Sequence, residues 1–227
     1  MKGSKRFRRS ILAGAVGLAL LVVGGIQAAS DNAYEVTTLQ STATDSSLVN
    51  GWGLTALAGS PWWVADNATN VSTLYQADGT KRSLTVAVPE APTGAVANDA
   101  GAGFAVTKQT PTGPVSGVSR FIFATEKGTI LGWSPAVDGT HAIVAVPNTT
   151  GAIYKGLAIG PNRLYATDFH NARVDVFDSS FQPVTVPGAF MDPSVPKGYA
   201  PFGIQDVNGT TIVVTYAVEL AKLRARR

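Results

Sequence analysis

A chain of 227 residues with 24 Gly, 13 Pro, no Cys, 45% hydrophobic and 15% charged residues is too apolar for disorder and too rich in glycine for a helical bundle. The absence of Cys removes disulfides, thiolate metal sites and Cys nucleophiles, and leaves export open. The formal net charge of +3 points to an anionic partner only until the cations are located: five precede residue 10 and four follow residue 221, so residues 29–217 carry 9 Lys and Arg against 14 Asp and Glu, and no nucleic-acid partner is expected.

In chain order, Lys2, Lys5, Arg6, Arg8 and Arg9 lead into the apolar residues 11–26 and then Gln27-Ala28-Ala29, the order of a secretory signal peptide. Sixteen residues with four Gly are short for a span of a roughly 30 Å hydrocarbon core, so residues 1–28 read as a cleaved signal. The expected location is secreted or periplasmic, with no membrane span after cleavage. The pair Arg8-Arg9 leaves the general and twin-arginine export routes both open. Residues 29–47 form an N-terminal lead-in.

From residue 48 to 217 the chain alternates short β-branched or aromatic runs with Asp-Gly, Asn-Gly and Gly-Pro turns, the pattern of an all-β protein. Four similar units open at Gly53-Leu54-Thr55-Ala56, Gly94-Ala95-Val96-Ala97, Gly156-Leu157-Ala158-Ile159 and Gly203-Ile204-Gln205-Asp206, spaced 41, 62 and 47 residues apart. Second strands follow at residues 62–66, 121–126, 163–168 and 212–216, and third strands at 71–75, 129–133 and 173–177. A period in the 40s with about four short strands per repeat is the signature of β-propeller blades. The recurrent Gly is expected where a backbone approaches closely or a bulge forms near the crowded axis. The second unit is long because residues 108–118 insert a polar loop. Three units plus two strands of a fourth make about three and a half blades, short of the roughly 4 to 8 that a closed ring needs. Residues 218–227 leave the pattern as a basic helix-forming tail.

The strings Asn50-Gly51-Trp52-Gly53-Leu54, Phe123-Ala124-Thr125-Glu126-Lys127-Gly128, Tyr154-Lys155-Gly156-Leu157-Ala158, Tyr165-Ala166-Thr167-Asp168-Phe169-His170-Asn171 and Gly198-Tyr199-Ala200-Pro201-Phe202-Gly203 recur in order. Through them residues 48–217 resemble an uncharacterised family of exported bacterial propeller proteins related to NHL-type repeats. The resemblance implies fold and export but no established activity. Members of that family continue into further blades beyond the Val-Thr-Tyr-Ala segment, so it also implies that this chain is truncated, and that its missing blades promote self-association through exposed edges.

Asp66, Glu126 and Asp168 occupy what reads as equivalent places in three units, where a ring would let their oxygens converge on Ca²⁺, as the related six-bladed lactonases and phosphotriesterases hold a metal at the axis. The alternative for each is a carboxylate accepting N–H bonds within its own turn. Tyr154 and Tyr199, leading into first strands, and His170, in a turn of the third unit, are the candidate ligand contacts; the alternatives are interblade core for the tyrosines and a turn position for the histidine. Lys155 beside Tyr154 reads as solvated. In Trp62-Trp63 the two rings face opposite sides of one strand.

No Gly-x-Ser-x-Gly elbow, zinc spacing or phosphate-cradling loop is present. The first functional reading is therefore a non-catalytic exported scaffold that binds a small molecule, glycan or protein at a channel mouth. The alternative is a Ca²⁺-dependent hydrolase of the lactonase or phosphotriesterase type, and a third reading is an inactive fragment.

Overall fold

The computed structural model describes residues 35–218. The signal assigned to residues 1–28 and all of the proposed tail except Val218 lie outside the described residues. The chain divides into two compact units after Thr37, and every strand belongs to the second.

Fifteen strands form four successive antiparallel sheets and one inserted hairpin. Sheet 1 contains β1 (Gly51–Thr55), β2 (Trp62–Asp66), β3 (Val71–Tyr75) and β4 (Lys81–Ala87), in that spatial order. Sheet 2 contains β5 (Pro92–Ala97), β8 (Phe121–Thr125), β9 (Ile130–Trp133) and β10 (Ile143–Val146), with the hairpin β6 (Ala105–Thr110) and β7 (Gly113–Val118) inserted after β5. Sheet 3 contains β11 (Tyr154–Gly160), β12 (Arg163–Asp168) and β13 (Arg173–Asp178); sheet 4 contains β14 (Tyr199–Val207) and β15 (Thr211–Val218). Each sheet is a meander, the arrangement that short turns between sequential strands impose.

Sheet 3 has only a remnant of a fourth strand: an isolated bridge joins Phe177 to Pro183, and Val184 N–H donates to the Val176 carbonyl. Proline at 183 and again at 187 removes two of the N–H groups that a longer ladder would use. The insertion expected as a polar loop is instead the β6–β7 hairpin. Phe104 and Val106, 2% and 3% exposed, anchor its root in the core, while Thr107 and Ser116 bond across its exposed part. Val218, expected as the first residue of the tail, instead pairs with Tyr199 as the last residue of β15.

Sheet 2 is buried on both faces, and its alternation divides the core. Trp63, Leu74 and Val86 of sheet 1 meet Phe121, Phe123, Leu131 and Trp133 of sheet 2. The intervening residues Ile122, Ala124 and Ile130 meet Tyr154, Leu157, Leu164 and Ala166 of sheet 3. A strand covered on both sides has no polar face to show, which explains the unbroken apolar run of β8. Trp63 stacks on Phe121 at 4.0 Å while its neighbour Trp62 is 45% exposed, the division that period-two alternation demands.

The first strands β1, β5, β11 and β14 lie side by side, and each carries the same irregularity. Register shifts fall between Gly51 and Leu54, Pro92 and Ala95, Tyr154 and Leu157, and Pro201 and Ile204, so the recurring glycine sits inside a bulge every time. A Cβ on Gly53 would lie 2.5 Å from the Ala95 nitrogen, one on Gly94 2.5 Å from the Leu157 nitrogen, and one on Gly156 2.7 Å from the Phe202 carbonyl oxygen. Both expected reasons for the glycine hold together: it bulges its own strand and lets the next sheet approach. For Gly203 the nearest atom is Thr215 Oγ1, in its own sheet.

Candidate functional site at the mouth of the central groove

The bulged first strands line a groove of about 510 Å³, with Trp52 and Lys155 near one end and Asp99 and Asp206 near the other. Counting from the repeated glycine shows how the mouth is built. The residue just before it is Trp52, Thr93, Lys155 or Phe202, and the residue just after the paired end of the second strand is Asn67, Glu126 or Phe169 in the first three sheets. Because the four strands start at one end of the groove, equivalent positions gather there although they are far apart in sequence.

These side chains form one continuous chain of contacts. Asn50 donates to Asn67 at 3.0 Å, Asn67 donates to Glu126 Oε2 at 3.4 Å, and Lys155 Nζ donates to Glu126 Oε1 in an ion pair. The same ammonium lies 5.0 Å from the centre of the Trp52 ring, a cation–π contact. Trp52 meets Phe202 at 5.6 Å, and Phe202 meets Phe169 edge-on at 5.6 Å. All four sheets contribute. Burial pushes the Glu126 carboxyl upward, but the bond and charge of Lys155, with help from Asn67, outweigh it and hold Glu126 below the usual carboxylate range. The Lys155 side chain is 13% exposed, not the solvated lysine expected.

The three carboxylates proposed for Ca²⁺ are not brought together. Register pairs Asp66 with Gly51 and Asp168 with Tyr154, while the position equivalent to both is Thr125, opposite Pro92; Glu126 is one residue out of step and so faces another way. Asp66 is fully buried within sheet 1, where Oδ2 accepts from the Thr73 N–H at 3.0 Å and its hydroxyl at 2.7 Å. Burial, partly offset by those bonds, raises the Asp66 carboxyl to about 6. Asp168 accepts from the N–H groups of Ile153 and Asn171 and from Asn171 Nδ2, which makes it an organiser of its own turn. Among the described residues no group of three or more His, Asp or Glu side chains is placed to hold a metal ion.

Of the candidate ligand contacts, Tyr154 has no face to offer. It is 3% exposed in the core between sheets 2 and 3, and its hydroxyl donates to Asp175 at 2.9 Å. Its neighbour Lys155 points the other way, into the groove. Tyr199 is 41% exposed at the start of β14, and His170 is exposed in the β12–β13 turn. Sequence reasoning passed over Trp52 as a site residue, although its fixed offset from the repeated glycine was there to be read.

No protein-family model matches the chain. Two uncharacterised proteins of Acanthamoeba polyphaga mimivirus are similar to it. One is 31% identical over 176 residues, covering 72% of this chain and 45% of the relative; the other is 33% identical over 193 residues, covering 79% and 46%. The chain therefore spans about half the length of the curated relatives it matches. Among solved structures, catalytically inactive virginiamycin B lyase from Staphylococcus aureus with quinupristin has a TM-score of 0.50 at 15% identity, over 72% of this chain and 47% of that one. Hydrazine synthase of Kuenenia stuttgartiensis has a TM-score of 0.50 at 16% identity, over 80% and 45%. At such identities the likeness is one of fold: an all-β chain of several small antiparallel sheets. No helix among the described residues is long and apolar enough to cross a membrane.

Proposed function

We propose that the four sheets are consecutive blades of a β-propeller and that the mouth of the groove between their first strands binds a small ligand. The observation that carries this reading is the mouth itself, where Trp52, Asn67, Glu126, Lys155 and Phe202 from four sheets meet at equivalent positions. A concave, partly apolar site with a few convergent polar groups is the form that small-molecule sites take. Indole ¹⁵N spectra of the protein titrated with small carboxylates, amines and neutral aromatics test it. The Trp52 signal shifts with at least one class while that of Trp62, on the outside, stays fixed; shifts confined to Trp62 contradict the reading.

Catalysis at the same mouth is the second reading, favoured because the two solved structures described above are named as enzymes, a lyase and a synthase. The Ca²⁺-dependent hydrolase built on Asp66, Glu126 and Asp168 does not fit these side chains, two of which are engaged inside their own sheets. An acid–base role instead falls to Glu126, held ionised, and to Lys155 as its proton-bearing partner.

The remaining inferences are ours as well. Residues 1–28 direct export, the recurring motifs ally the chain with exported NHL-like propeller proteins, and a second copy covers the open side of sheet 4. That side exposes Val213, and Val207 and Tyr199 beside it are also exposed.

A further inference from the structure

We propose that the ligand at the groove mouth carries a carboxylate, bound by Lys155, on a flat apolar body seated against Trp52 and Phe202. This rests on the ligand-binding reading above and names the chemical class.

An ammonium has three N–H donors and no acceptor. Lys155 spends one on Glu126 and lies over the π face of Trp52. Its side chain is 13% exposed and lines the groove, so a ligand there can reach its remaining donors. The group that an ammonium binds best is an anionic oxygen, here one carried by a ligand entering the groove that Lys155 lines. Glu126 is the less demanding partner, since its side chain is 35% exposed and it already accepts from Asn67 as well as Lys155. The groove is also polar along its length: Asp99 and Asp206 at the far end repel an anion that the Lys155 end attracts. Beside the ammonium, Trp52 and Phe202 give an aromatic surface that desolvates cheaply and suits a planar apolar group.

Calorimetric titration with naphthoate, and with naphthalenemethanol as its neutral analogue, tests the inference on the intact protein. Naphthoate binds at least about tenfold more tightly than the alcohol, and Lys155→Met abolishes that difference. Because Lys155→Met removes a partly buried ion pair and stands to disturb folding, Glu126→Gln provides the second arm. With the competing charge gone, it tightens naphthoate binding more than that of the alcohol, a selective gain that misfolding does not produce. Equal binding of acid and alcohol, both weakened by Trp52→Ala, overturns the carboxylate assignment and leaves the ligand site standing. Binding of neither probe overturns both.

Discussion

Asp66 sets the most distinctive behaviour of a single residue. One carboxylate oxygen takes both Thr73 bonds while Oδ1, equally buried, has no hydrogen-bond partner, and the group protonates at about 6 instead of near 3.8. A pKa raised by folding contributes stability that is complete below the unfolded value, is lost as pH rises from 3.8 to about 6, and stays lost above it. The amount is on the order of 3 kcal/mol, from about 1.4 kcal/mol per unit. Asp45 acts in the opposite direction: burial raises it, but the Lys81 and Tyr75 bonds hold it to about 2, so its contribution disappears only as pH falls from 3.8 toward 2. Thermal melts should show the wild type losing about 6–12 °C between pH 4 and pH 6.5 and little thereafter. Asp66→Asn, which accepts the Thr73 bonds without titrating, flattens that decline; an equal decline in the variant would remove Asp66 as its cause. None of this was legible in the sequence. Asp66-Asn67 resembles any turn carboxylate until the register shows Asp66 turned into the sheet and Asn67 toward the mouth.

At the scale of elements, the bulged first strand is the device that repeats. Its glycine was legible because four copies share the same sequel, and the second and third strands were legible because they are short apolar runs ending at turn residues. Two elements were not. Beyond Val106 the β6–β7 hairpin is mostly exposed, with Lys, Gln, Thr, Ser, Gly and Pro, so composition alone reads it as loop. The missing fourth strand of sheet 3 depends on whether Pro183 and Pro187 interrupt a ladder or a turn, which only the partner strand decides. The close approach at the bulge predicts a sharp contrast between two glycines. Gly94→Ala would place a methyl 2.5 Å from the Leu157 backbone nitrogen and should cost about 3 kcal/mol or more. Gly139→Ala meets nothing within 4 Å and should stay within about 0.5 kcal/mol of wild type. Denaturant titration of both variants checks this, and equal losses would mean that the inner strands are not locked by that approach.

Across the described sheets the groove has one origin. Sheets 1 to 3 each press their inner glycine against the next inner strand, and Gly203 of sheet 4 meets only its own hairpin. If a second copy fills that side, light scattering after size exclusion gives a dimer whose dissociation is promoted by Val213→Lys; a monomer at all concentrations counts against it. The mouth lies on the inner strands and is already assembled within one chain, through Trp52 of sheet 1, Glu126 of sheet 2, Lys155 of sheet 3 and Phe202 of sheet 4. It was only half visible in sequence, where Glu126 was grouped with two carboxylates that face elsewhere and Lys155 passed for a surface cation. The most direct test is a crystal of the protein soaked with naphthoate. Density between Trp52 and Phe202, with the carboxylate about 3 Å from Lys155 Nζ, is the predicted result. Density elsewhere on the protein, with the mouth empty, would contradict the account.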